Sequence, residues 1–540
     1  LDRMLERVLL QTVAATGCTR GAVYLLDDKG QGLILAALAS QRGAQALPLP
    51  IQPEPFPAEL PLCAIGPNQP AVGSVPDGRG QLVLPLTSRQ QTPLGLVLLE
   101  HPADASHEGS EFRAFAEKLS GALSSSIEKR RLIEAQKKLL DGFVLLIADA
   151  IDAKSPYTGG HCRRVPELAT MIVDRMTHEQ AGPYKDFRLT EEERYEFHLG
   201  AWLHDCGKVT SPEHVIDKAT KLEAIHNRIH EIRTRFEVLW RDAEIAHLKR
   251  LAAGADPAGS EAEMVQAQEK LRDDFAFVAG CNVGGEFMTD EAVARIQAIA
   301  QQRWLRHFDD RQGLSVEEER RVSGLQAPPL PALEPLLADR PQQVAPWFGR
   351  RPPVEKDDPA NIYGFDMGLP AYQENLGEIY NLTIRRGTLT AEERFKINDH
   401  VVQTYMMLKS LPWPEHLQRV PEIAATHHER MDGAGYPRRL SGTTLSIEER
   451  VMALADVFEA LTACDRPYKP AKTLTQSLRI MAFMCKEGHL DPEVFRYFLE
   501  SGLWEDYAAR FLKPEQRDNV DLAALMAILP NQPPRMEAAS

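Results

Sequence analysis

Four short apolar runs punctuate the first 125 residues: GAVYLLD (21–27), GLILAALAS (32–40), GQLVLPLTS (80–88) and PLGLVLLEH (93–101). Each has the length of a strand and is bounded by Gly, Pro, Asp or Asn. Helical patterns flank them at 2–15 and 111–130. The pattern predicts an α+β domain over 1–127, one antiparallel sheet flanked by helices. From Glu128 the period becomes helical. Ile133, Leu140, Val144, Ile147 and Ile151 recur at steps of seven, four, three and four, with Lys137 as a polar break. A connecting helix over 128–150 follows, either a coiled-coil dimer seam or an ordinary helix packing on its own domain.

Beyond residue 141 the chain reads as almost wholly helical, which predicts an all-α domain over 141–475 and a helical extension and tail over 476–540. Composition shifts between about 252 and 363. AAGADPAGS reads as a loop, and QAPPLPALEPLLADRPQQVAPWFGRRPPVEKDDP, rich in proline and charge, as a linker-like insertion. DKATKLEAIHNRIH and RRGTLTAEERFKINDH faintly echo each other, without a convincing repeat.

Length and charge narrow the picture further. At 540 residues the chain is too long for one core. Its net charge of −15 disfavours long nucleic acid as a partner, but a small anionic ligand is still compatible where a metal reverses the local field. Seven scattered cysteines (Cys18, Cys63, Cys162, Cys206, Cys281, Cys464, Cys485) form no CxxC pair, as expected of a reducing cytosol rather than a disulfide frame or a thiolate zinc site. No apolar run is long enough to cross a bilayer and no signal peptide is visible. The chain begins at Leu1, which leads us to expect a fragment; any upstream sensor or anchor would be out of view.

The helical part carries islands of His and Asp: His161 in SPYTGGHCRRV, His204, Asp205 and Lys208 in LGAWLHDCGKV, His400 ending LTAEERFKINDH, and His427 and His428 in THHERMDGAGYP. Asp456 follows in VMALADVFEALTACDRPYK. Neighbouring positions on a helix are about 100° apart, so one cation, or two close ones, fits between His204 and Asp205. A lone Asp inside the apolar run ALADVFEAL is costly unless paired, and a metal would remove that cost. Imidazoles and carboxylates without thiolates suit Fe, Mn, Zn, Ni or Co. Any one island alone is weak, since a single histidine is more often a surface or helix-start residue. Together they predict a metal site.

The order H…HDxGK…H…HHExxDGxGYP…D…RPYK resembles the HD-GYP family, a branch of the HD superfamily of metal-dependent phosphohydrolases. His427, His428, Glu429, Asp432, Gly433, Gly435, Tyr436 and Pro437 match its name-giving motif, and the resemblance covers 141–240 and 385–475. It implies an all-helical HD-type fold that hydrolyses cyclic di-GMP, a bacterial second messenger. It implies metal ligation by His161, His204, Asp205, His400, His427, His428 and Asp456, with Asp205 bridging two divalent ions, Fe or Mn first. Lys208 would neutralise the scissile phosphate, making Asp205 and Lys208 the catalytic pair. Lys208, Asp432, Gly433, Gly435, Tyr436, Pro437, Arg466 and Lys469 would hold the substrate. Relatives with a third metal use a Glu four residues before the first histidine. Tyr157 stands there, so two metals are expected.

One departure concerns the middle histidine. His226 and His230 lie at about the family's distance after the HD pair, whereas His400 fits its LTxEE…H wording better, although Val401 replaces the usual proline. Taking His400 makes 225–384 an insertion of unassigned role. The amino-terminal region resembles a GAF domain in pattern alone, implying a small-molecule ligand and a homodimer. The expectation is therefore a bacterial cytoplasmic signalling enzyme: a GAF-like sensor joined by a long helix to an HD-GYP phosphodiesterase that yields pGpG and, in a second step, GMP. The rivals are a cyclic-dinucleotide receptor that binds without cutting, and a phosphodiesterase for another cyclic nucleotide.

Overall fold

The computed structural model describes residues 2–26, 33–40, 43–46, 71–74, 80–90, 92–101, 110–154, 160–285, 287–463 and 472–530. The chain divides into two units, Leu1–Gly142 and Phe143–Ser540.

The first unit opens with helix α1 (Asp2–Thr16), followed by strands β1 (Arg20–Leu26), β2 (Leu33–Ser40), β3 (Gly43–Ala46), β4 (Ala71–Ser74), β5 (Gly80–Thr87) and β6 (Pro93–His101). They form one antiparallel sheet in the order β3-β2-β1-β6-β5-β4. Alternation along the strands separates its faces. Val23, Leu25, Leu84 and Leu99 pack with Leu5, Leu9 and Val13 of α1 and with Leu123 and Ile127 of helix α2 (Ser110–Lys154). Ala22, Val83, Leu96 and Leu98 line the opposite face. The four strands expected from sequence are present. The two short edge strands β3 and β4 were not foreseen, because their runs are too brief to show a period.

Helix α2 is continuous over 45 residues, so the flanking helix and the connecting helix read from the sequence are one element. The expected seam is split: Val144 and Ile151 are buried, whereas Ile133 and Ile147 are exposed. Leu132 and Leu139, one heptad apart, are the more exposed pair at 60% and 61%.

The second unit holds α3 (His161–Thr177), α4 (Glu191–Leu203), α5 (Glu213–Ile216), α6 (Ile229–Ala252), α7 (Pro257–Val283), α8 (Asp290–Ala300), α9 (Val316–Val322), α10 (Glu378–Leu382), α11 (Ala391–Lys409), α12 (Val420–Ala425), α13 (Ile447–Thr462), α14 (Leu474–Lys486), α15 (Pro492–Glu500), α16 (Leu503–Phe511) and α17 (Leu522–Met526). The recurring LT- and LS-x-E-E words are helix starts: Thr190 with Glu193, Thr390 with Glu393 and Ser446 with Glu449 form reciprocal capping boxes that open α4, α11 and α13. The main core joins α3, α4 and α13 to α14, α15 and α16 through Val165, Ile172, Phe197, Phe458, Met481, Phe498 and Tyr507. The described residues after 476 are therefore part of this core, not an extension beyond it.

The expected insertion has its own core, built from Leu222, Ile232, Phe236, Val278, Ile296, Leu336, Leu337 and Leu382. It is not wholly helical: Arg303–Arg306 (β7) pairs with Ala332–Pro335 (β8), and Val344–Ala345 (β9) with Glu374–Asn375 (β10). Nor is the proline-rich stretch a linker. Leu336, Leu337 and Val354 are fully buried, and Trp347, Val354, Phe365 and Met367 pack on Phe395, Val402 and Tyr405 of α11. Proline restricts the backbone without forbidding burial, which composition alone could not reveal.

Candidate metal centre

Five chain segments converge. His161 is the first residue of α3, His204 caps the end of α4, and Asp205 leads into the tight turn Cys206–Thr210 that bears Lys208. His400 lies within α11, His427 and His428 follow α12, and Asp456 lies within α13. The turn after His204 can press against α11 because residue 207 is glycine: a Cβ there would stand 1.9 Å from the His400 carbonyl oxygen.

Asp205 stands between two groups of donors. Its Oδ2 lies 3.2 Å from His161 Nε2, 3.2 Å from His204 Nε2 and 2.6 Å from Lys208 Nζ. Its Oδ1 lies 3.3 Å from His400 Nε2 and 3.9 Å from His427 Nε2. The donor atoms of His161, His204 and Asp456 lie within 4.8 Å of one another, as do those of His400, His427 and His428.

The residues fit divalent cations by a direct test. His204, His400 and His427 each turn Nδ1 to a carbonyl three residues back, that of Ala201 at 2.7 Å, Ile397 at 2.5 Å and Ala424 at 2.8 Å. That bond makes Nδ1 the protonated nitrogen and leaves a lone pair on Nε2. The three Nε2 atoms and Asp205 Oδ1 are buried without a hydrogen bond. Buried acceptors left unpaired are expensive, and a shared cation position on each side of Asp205 would satisfy them.

Electrostatics agrees. Burial opposes the Asp205 charge, yet Lys208 and the facing imidazoles outweigh it and hold its pKa well below the ordinary carboxylate value. Burial and the neighbouring His204 push His427 down to about 3, and burial with His427 lowers His428 well below the usual histidine value. These two rings are neutral donors at physiological pH.

The loop after His428 is organised by Glu429, which is fully buried and accepts the amides of Arg438 at 2.8 Å and Leu440 at 2.9 Å. Gly435 allows the chain to fold back, since a Cβ there would meet Arg430 N at 2.5 Å. Tyr436 consequently stacks on His428, with ring centroids 4.8 Å apart. The Asp432 carboxylate is occupied within the loop by Arg430 and the Ala434 amide, and Gly433 takes a left-handed conformation beside it. The insertion reaches this loop: Asp366 N donates to the Pro437 carbonyl at 2.7 Å.

The structure thus brings His161, His204, Asp205, Lys208, His400, His427, His428, Asp456 and Tyr436 together. His226 and His230 stay outside; they are exposed and pair with Glu231 and Arg233. Arg466, Lys469 and Tyr157 lie outside the described residues, as do Cys63 and Cys464. Sequence reasoning missed Glu459, whose buried carboxylate contacts His161 Nδ1 and Arg164 Nε. The signal was present: it is a second acid in the same apolar helix, three residues after Asp456.

A family model described as the HD domain matches residues 331–494. The chain is 46% identical over 76 residues to 3'3'-cGAMP-specific phosphodiesterase 1 of Vibrio cholerae, covering 14% of this chain and 17% of that protein. It is 42% identical over 82 residues to a cyclic di-GMP phosphodiesterase of Pseudomonas aeruginosa, 15% of this chain and 19% of that one. It is 36% identical over 144 residues to the cyclic di-GMP phosphodiesterase of Thermotoga maritima, 26% of this chain and 38% of that one. The matched segments span less than two fifths of each of these relatives. No helix among the described residues is long and apolar enough to cross a membrane. The HD domain match and these relatives agree with the likeness of the C-terminal part of this chain to the HD-GYP family that the HHERMDGAGYP segment carries.

Proposed function

We propose that this chain is a metal-dependent phosphodiesterase that opens cyclic di-GMP to linear pGpG, and pGpG onward to GMP. The observation that carries this reading is Asp205, with one oxygen facing His161 and His204 and the other facing His400 and His427. Two divalent cations, Fe or Mn first and Zn, Ni or Co next, would be held by His161, His204 and Asp456 on one side and by His400, His427 and His428 on the other, sharing Asp205. When bound, they supply Lewis acidity toward the phosphodiester and lower the pKa of water.

The chain's own residues do the rest. The Lys208 ammonium beside the shared carboxylate is placed to neutralise a phosphate oxygen. The Tyr436 ring, fixed against His428, borders the site where a base or ribose would lie. Asp432, Gly433, Gly435 and Pro437 shape that border, and Arg466 and Lys469, by motif match, would clasp the ligand. The amino-terminal sheet unit is read as a GAF-like sensor for a small ligand, and the exposed Leu132 and Leu139 of α2 as part of a homodimer seam. A cytoplasmic bacterial setting follows from this reading.

A second substrate has specific support. Relatives named 3'3'-cGAMP-specific phosphodiesterases match at 46% and 42% identity, so 3'3'-cGAMP is the alternative cyclic dinucleotide. The test is an anaerobic turnover assay of the purified, metal-analysed chain on both substrates, beside Asp205→Ala. Metal-dependent pGpG that vanishes in the variant supports the reading. Tight binding of cyclic di-GMP without turnover would replace it with a receptor.

A further inference from the structure

We propose that the two cation positions are unequal, and that Glu459 makes the His161 side the tighter. This rests on the two-cation reading above.

Three of the histidines take their orientation from their own helical turn, through the carbonyls of Ala201, Ile397 and Ala424. His161 differs: it is the first residue of α3, with Gly160 before it in a left-handed conformation, and its Nδ1 faces Glu459 of α13. One of its oxygens meets His161 Nδ1, and the other takes Arg164 Nε at 2.6 Å, a residue one turn further along the same helix as His161. The carboxylate is thereby held from two sides in a buried place.

The acceptor's identity matters. A carboxylate behind an imidazole draws its proton further than a carbonyl does, so Nε2 becomes the stronger donor. The same group also contains Asp456, a second anion. The facing group, His400, His427 and His428, has three imidazoles and no carboxylate of its own. Lys208 and Arg164 place two positive charges on the His161 side and oppose a cation there, but they stand against the three carboxylates of Asp205, Asp456 and Glu459. The His161–His204–Asp456 position therefore fills first. Glu459 acts through His161, as a positioning residue.

The test is a calorimetric titration of the metal-stripped full chain with Mn²⁺, read against a competing chelator. The wild type should show two binding steps at least about tenfold apart. Glu459→Gln should weaken the tighter step by about 10–100-fold, the range for loss of such a partner, and leave the weaker step unchanged. His428→Ala should remove the weaker step alone. Arg164→Met, which keeps the carboxylate on His161, should weaken the tighter step less than Glu459→Gln does. Equal weakening of both steps by Glu459→Gln, or no weakening, overturns the proposal. Loss of the cooperative unfolding transition in that variant overturns it too, since Glu459 would then be a folding residue. A wild-type chain that binds one Mn²⁺ or none defeats the two-cation reading itself.

Discussion

The hydroxyl of Thr404 accepts the amide of Gly207 at 2.9 Å and donates to the His204 carbonyl at 3.2 Å. One buried side chain of α11 thereby keys the turn carrying His204 and Asp205 to the helix carrying His400. Thr404→Val keeps the shape and removes the acceptor. Leaving a buried amide unpaired costs about 1–3 kcal/mol. A urea denaturation curve should show that loss, with metal retention reduced and far-UV circular dichroism unchanged.

Gly207→Ala is expected to be harsher. The added methyl would stand 1.9 Å from the His400 oxygen and 2.6 Å from Thr404 N, both backbone atoms that no rotamer change can clear. Overpacking typically costs about 1–3 kcal/mol, and a contact this short with backbone belongs at the upper end, so the two halves of the site are expected to separate. Metal content after dialysis should fall along with the unfolding midpoint.

Asp205 and Lys208 touch each other at 2.6 Å but should fail in different ways. Asp205→Asn is expected to lose both bound metal and turnover. Lys208→Met should keep its metal and lose about 10²–10³-fold in kcat, as expected for removal of a charge-stabilising donor. Metal analysis beside steady-state kinetics separates the two.

A pH dependence of stability comes from Glu422. Burial pushes its pKa up, but the Arg438 guanidinium and the Tyr405 hydroxyl, 2.7 Å away, outweigh burial and hold it below the ordinary 4.5. A depressed carboxylate favours the folded state above the unfolded value and loses that contribution as pH falls below it. Arg438→Met should therefore destabilise the protein at pH 7 and flatten the acid limb below about pH 4.5. Thermal unfolding from pH 3 to 7 measures both effects.

Leu132→Glu with Leu139→Glu should convert the proposed dimer into a monomer in light scattering coupled to size exclusion. The two residues are 60% and 61% exposed, so removing them takes little from the fold of one chain. An unchanged mass would place any dimer contact elsewhere.

Much of this was legible in the sequence, for reasons that differ by residue. Strands β1, β2, β5 and β6 were visible because each is an apolar run of strand length bounded by turn residues. The ligand-bearing segments were visible because buried His and Asp are costly without a task, which singled out Asp456 in its apolar helix. The same argument applies to Glu459, a buried acid three residues further along that helix. Thr404 gave no signal at all: a threonine in an amphipathic helix is ordinary until its partner is known. The proline-rich stretch misled because composition reports backbone restriction, whereas Leu336, Leu337 and Val354 report burial only once the surrounding helices are in place.

The bond between Thr404 and His204 crosses 200 residues of sequence. During synthesis at about 5–20 residues per second, the His204–Asp205 turn waits roughly 10–40 s for its partner helix to be made. Over that interval the nascent chain carries an aspartate and two histidines with no second half to close around them. Leu222 and Leu382, near the two ends of the intervening segment, share one core, which in the folded protein keeps the start and the end of that long detour close together.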